Sequence, residues 1–104
     1  MIQDLLLDEL LSKDRRFTLA YRGHALVVAV TEPAMPYSSM RVQVFLDGRR
    51  TTTKSAFSTI RIPLPVPAAS GQRQVELEVA ISLLGAVKSC SVLDETGEQP
   101  MTEV

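Results

Sequence analysis

Residues 74–83 alternate without a break. Val75, Leu77, Val79, Ile81 and Leu83 fall on one side, and Glu76, Glu78, Ala80 and Ser82 on the other. Successive side chains of a strand point to opposite faces, whereas a helix would scatter these five apolar residues around its axis. The segment therefore reads as a strand with one face in a core. Such a strand needs neighbours for its backbone ladder and a second layer for its apolar face.

The rest of the chain supplies both. Phe17, Leu19 and Tyr21 alternate with Thr18, Ala20 and Arg22, and Gly23 and His24 suit a two-residue turn. Residues 25–31 (ALVVAVT) are apolar on both faces, as in a central strand. Residues 32–39 (EPAMPYSS) read as a loop. Val42, Val44 and Leu46 then alternate with Arg41 and Gln43, and Asp47-Gly48 follows at once. That dipeptide marks a hairpin, because a type I′ turn needs positive φ at both central positions. The threonine-rich return strand, residues 49–54, suits an edge. Ile60 and Ile62 lead into Pro63, Pro65 and Pro67, each of which lacks a ladder donor, so this stretch belongs at an edge or in a connection. After the loop at residues 68–72 and the long alternating strand, residues 86–93 give a last strand. It carries Cys90 and Val92 on one face and Val87 and Leu93 on the other.

About seven short strands with turn residues between them predict a mainly β fold, a small antiparallel sandwich of jelly-roll or immunoglobulin-like type. The reading divides the chain into an arm at 1–14, a sandwich at 15–93 and a polar, loosely ordered tail at 94–104. Apolar residues make up 45% and charged residues 22% of the 104, which excludes disorder of the whole chain and fits one domain with its own core.

The arm has a different period. Ile2, Leu5, Leu6 and Leu10, with Leu11 beside them, recur at three- and four-residue spacing, predicting an amphipathic helix over residues 2–13. Asp4 and Asp8 lie early and Lys13 late, which suits the helix dipole, and Glu9 and Lys13 form an i,i+4 pair. Leu5, Leu6, Leu7, Leu10 and Leu11 crowd five leucines into seven positions, and Leu7 falls off the main face. At about a dozen residues the helix is marginal alone and needs a surface to pack on, its own sandwich or a neighbour's.

Catalytic readings find little material. The single histidine, His24, sits at an expected turn, and the single cysteine, Cys90, sits within a strand, where a thiol behaves as a small apolar residue. A Cys-His pair is the one nucleophilic arrangement the composition allows. Glu76 and Glu78 lie on one strand face at about 6–7 Å, near the carboxylate separation glycosidases use. Solvent-facing strand residues have the same spacing. Asp94, Glu95 and Glu98 match no calcium loop. No metal or cofactor is called for, one cysteine forms no intrachain disulfide, and the chain is not read as an enzyme.

Binding surfaces offer more. Arg41, Arg49, Arg50, Lys54 and Arg61 would form a basic patch if the Asp47-Gly48 hairpin brings them together. The net charge of −1 and the scarcity of nearby aromatics argue against nucleic acid as its target. Met35 and Tyr37, in the proline-rich loop, belong to residue types favoured at interfaces. Residues 57–81 resemble jelly-roll and carbohydrate-binding sandwiches, in which a proline-containing strand leads through a loop to a long alternating one. The exposed tryptophans of such modules are missing, and a carbohydrate-binding reading instead predicts a sheet face or loop pocket on which Tyr21, Tyr37 or His24 converge. No signal peptide or membrane-length apolar run is visible, which points to a cytoplasmic or virion setting. The leading expectation is a non-catalytic structural or protein-interaction domain, a small subunit of a larger assembly such as a phage particle, binding itself or another protein. The alternatives are a carbohydrate-binding module and, last, an enzyme using His24 and Cys90.

Overall fold

The structure, a computed structural model, describes residues 13–33, 38–69 and 71–104. The expected N-terminal helix lies outside them, except that Lys13 and Asp14, read as part of the arm, begin the first strand. Nine strands follow: β1 (Lys13–Tyr21), β2 (His24–Glu32), β3 (Met40–Leu46), β4 (Arg49–Ala56), β5 (Ile60–Ala68), β6 (Gly71–Ile81), β7 (Val87–Asp94), β8 (Gly97–Pro100) and β9 (Thr102–Glu103). They form two antiparallel sheets, ordered β4-β3-β2-β1-β9 and β5-β6-β7-β8.

The connectivity corrects the jelly-roll and immunoglobulin-like expectation. Both of those folds use Greek-key connections. Here strands adjacent in sequence pair within each sheet, the chain changes sheet between β4 and β5 and between β8 and β9, and only β9 returns to an earlier strand, β1. Each sheet is thus a meander of hairpins, whose short loops cost little closure entropy. Turn spacing alone does not separate the two topologies, since it fixes where the chain reverses and not which strand it joins.

Two turns show how local chemistry sets the hairpins. Asp47 and Gly48 have φ of 52° and 83°, the type I′ geometry the dipeptide predicts. The first turn is Arg22-Gly23 (φ 49° and 81°), one residue earlier than expected, which makes His24 the first residue of β2. Glycine then occupies the second positive-φ position in both turns.

The core is one cluster between the sheets. β2 contributes Leu26, Val28 and Val30, β3 contributes Val42 and Val44, and β5 contributes Ile62, Leu64 and Val66. Beside β5 in the same sheet, β6 adds Val75, Leu77, Val79 and Ile81, as its alternation predicts. Leu83 is a correction. β6 ends at Ile81, and residues 82–86 form a turn in which the Gly85 amide donates to the Ser82 carbonyl and the Ser82 amide to the Ala86 carbonyl. Leu83 lies in that turn. In β7, Val87 shares the inner face with Cys90 and Val92. A register shift leaves Lys88 without a partner on β6 and reverses the expected alternation there.

The tail is also corrected. Residues 97–103 supply β8 and β9, and Met101 between them is buried, its amide donating to the Cys90 carbonyl. Pro100 lies opposite Ser91 and accompanies its burial. Polar composition hid these strands because they are short and their outward residues are all hydrophilic.

The prolines of β5 fall where the ladder tolerates them. β5 is an edge strand, and Pro63, Pro65 and Pro67 occupy alternate positions with exposed rings. In an antiparallel pair alternate residues point their backbone groups away from the partner. Three residues without N–H on that side leave the free edge poor in donors.

Candidate functional site

The meanders give the sandwich two unlike ends. At one end lie the tight turns Arg22-Gly23, Asp47-Gly48 and Glu95-Thr96, with the paired ends of β5 and β6 at Ala68 and Gly71. At the other lie the start of β1, the end of β2, the start of β3, the crossover at residues 57–59 and the β6–β7 turn.

Among the described residues, the tight-turn end is polar and its side chains bond to one another. His24 Nδ1 is 2.7 Å from Asp47 Oδ2, and Nε2 is 3.2 Å from the Pro67 carbonyl, so the ring ties the first sheet to the edge of the second. The Asp47 carboxylate raises the His24 pKa above its ordinary value. Asp47 Oδ1 also accepts from the Ala25 amide at 2.9 Å. The Tyr21 ring is enclosed in the core, and its hydroxyl donates to Asp94 Oδ2. Hydrogen bonds from Thr96 and then Tyr21 hold the Asp94 carboxyl down at about 2. Tyr21 and His24 are cross-strand neighbours, but each is committed to another partner and Tyr21 presents no stacking face.

The other end begins with an ion-paired clamp. Arg15 of β1 forms a bidentate pair with Glu103 of β9, 2.7 Å to each oxygen. Its third nitrogen donates to the Val87 carbonyl, and the guanidinium lies 5.5 Å from the Phe17 ring centre. Glu32 Oε2 accepts from the Val87 amide at 2.8 Å. Both meander sheets are thereby fixed around the start of β7.

Beyond the clamp the surface turns apolar. Leu83 and Leu84, at the tip of the β6–β7 turn, are 107% and 97% exposed, and Phe57 in the crossover is 70% exposed. They border a cleft of about 430 Å³ with Ser38, Met40, Ala56 and Gly85. Single exposed leucines are ordinary; here three large exposed apolar side chains line one concavity. Each large apolar side chain left in water forgoes about 1.5–3 kcal/mol of burial. A flatter apolar depression of about 220 Å³ on the outer face of the first sheet, with Ala20, Ala25 and Val27, is a weaker feature.

The basic residues do not form one patch. Arg41 sits on β3, whereas Arg49, Arg50 and Lys54 sit on the edge strand β4. Lys54 lies opposite inward-facing Val42 yet is exposed, while Arg50 lies opposite outward-facing Phe45 after a register shift. Arg61 belongs to the other sheet. It pairs with Glu78 at 3.1 Å and Glu76 at 3.7 Å across β5 and β6, so the two carboxylates share a cation on an open strand face.

The Cys90 thiol is buried and desolvation pushes it up to about 12, while both His24 ring nitrogens are engaged elsewhere. The two are not brought into contact. Among the described residues no group of three or more His, Cys, Asp or Glu is placed to hold a metal ion, and no helix is long and apolar enough to cross a membrane.

Ile2, Leu5, Leu6, Leu7, Leu10, Leu11, Met35 and Tyr37 lie outside the described residues. The sequence reading missed Leu83, Leu84 and Phe57. The available signal was Leu-Leu-Gly at the end of the alternating strand: Gly85 (φ 83°) closes the turn and leaves both leucines at its tip. No family model, curated protein or solved structure matches the chain.

Proposed function

We propose that this chain is a non-catalytic β-sandwich that works by protein–protein contact, as a small subunit of a larger assembly of which a virus particle is one kind. The supporting observation is the apolar end, where Leu83, Leu84 and Phe57 stand exposed around one cleft. Toward the opposite end the described polar side chains are tied to one another, and the cleft of about 380 Å³ there is lined largely by charged and polar residues, among them Arg61, Gln74, Glu76 and Asp94. A sugar is a poor match for the apolar end. It needs convergent donors and acceptors, and among the described lining residues only Phe57 offers an aromatic face.

The contact is tested by mass in solution across a range of concentration. The wild-type chain is expected to associate, and the double variant Leu83→Asp/Leu84→Asp to stay monomeric with the same melting temperature, since neither leucine is in the core. Identical mass profiles for the two proteins would overturn the assignment.

A further inference from the structure

The register of the first sheet places the start of the chain's arm beside the apolar cleft. Lys13 lies opposite Glu32, Thr31 opposite Arg41, and Met40 opposite Ala56. The first residue of β1 therefore lies in the same cross-strand row as Met40 and Ala56, two of the cleft's lining residues. At about 4.8 Å per strand, the row puts them about 10 and 14 Å from Lys13. The segment before Lys13 carries five leucines in seven positions, more apolar surface than one stripe can bury.

We infer that residues 2–11 of one copy occupy the cleft bordered by Met40, Phe57, Leu83 and Leu84 of a second copy, so that the arm is exchanged between subunits. The inference rests on the assembly reading above and names its occupant.

Three observations carry it. First, the segment and the cleft have matching needs. A helix over residues 2–12 would be about 16 Å long, and its leucines offer the apolar surface that the exposed Leu83 and Leu84 lack. Second, the charges match. The segment brings Asp4, Asp8 and Glu9, while Arg41, Lys54 and Lys88 flank this end and have no ion pair among the described residues. Third, the hinge is short. β1 is already paired at Lys13, so only Ser12 separates the leucine-rich segment 2–11 from the first strand. Connections between elements commonly take two to six residues, and a short hinge invites exchange of an element with a neighbour. A two-fold exchange closes both clefts at once.

Disulfide trapping on the full chain tests this. Leu6→Cys and Leu84→Cys are placed on separate chains, mixed, and oxidised gently. They are also combined in one chain. Buried Cys90 does not compete, because its thiol is held protonated. The expected products are a mixed covalent dimer from the separate chains and a covalent dimer from the doubly substituted chain, with Gln3→Cys in place of Leu6→Cys giving far less. A fast-migrating cross-linked monomer would overturn exchange in favour of a cleft covered by its own arm. An absence of cross-links, with an oligomer that Leu83→Asp/Leu84→Asp still dissolves, would remove the arm as occupant and leave the assembly reading standing. An absence of both would remove the two together.

Discussion

His24 and Asp94 sit at the same polar end of the sandwich and couple its stability to pH in opposite directions. Asp94 is held at about 2, below its ordinary 3.8, by Thr96 and Tyr21. Its contribution is present above the ordinary value and lost as pH falls toward 2. His24 is raised above its ordinary 6.5, first by the hydrogen bond to Asp47. Its contribution is complete below 6.5 and lost as pH rises through the higher folded-state value. Denaturant unfolding measured against pH should therefore give a plateau bounded by two declines. Asp94→Asn should flatten the acid limb and His24→Gln the upper one. If either variant keeps the wild-type slope on its own limb, that residue does not carry the coupling. Both interactions escaped the sequence because they join residues far apart in the chain, 73 apart for Tyr21 and Asp94 and 23 for His24 and Asp47.

At the scale of elements, the exposed sheet edges are managed by two different devices. β5 removes donors with its prolines. β4 has none, and instead carries Lys54 at a position opposite the buried Val42, turning a charge toward the space a partnering strand or layer would fill. Inward-pointing charge on an edge strand blocks edge-to-edge pairing. Lys54→Val should leave the melting temperature unchanged or higher while speeding aggregation, read by light scattering at fixed protein concentration. Unchanged aggregation would assign Lys54 no protective role. The edge character of both strands was legible beforehand, from threonine and charge in one case and proline in the other. The side to which Lys54 points was not, because the register shift between Val44 and Phe45 resets the alternation of β4 against β3.

The whole molecule separates two kinds of leucine that look alike in sequence. Leu77 is fully buried, opposite Ile62 on β5 and Val92 on β7. Leu83, two strand periods beyond Val79, is fully exposed. Leu77→Ala should cost about 2–4 kcal/mol through lost burial and the cavity it leaves. Leu83→Ala should cost less than about 0.5 kcal/mol at a dilution where the chain is monomeric. A substantial loss at Leu83 under those conditions would place it in the core and remove it from the docking surface.

The sequence by itself determined the strands β1 to β6 and most of their inner faces. Val75, Leu77, Val79 and Ile81 alternate, Asp47-Gly48 forces its turn, and the prolines of β5 exclude it from the middle of a sheet; each is a consequence of backbone geometry acting over a few residues. Tertiary structure alone decided that these strands form two meanders, that residues 97–103 return to complete both sheets, and that Arg61 stands apart from the other basic residues. It also decided that Leu83, Leu84 and Phe57, which lie 26 or more positions apart between crossover and turn, border one cleft at the end where the leucine-rich arm begins. Local pattern fixes which way a side chain points within its strand. Which ends of the strands meet depends on pairing across the whole chain, and the candidate site is made of those ends.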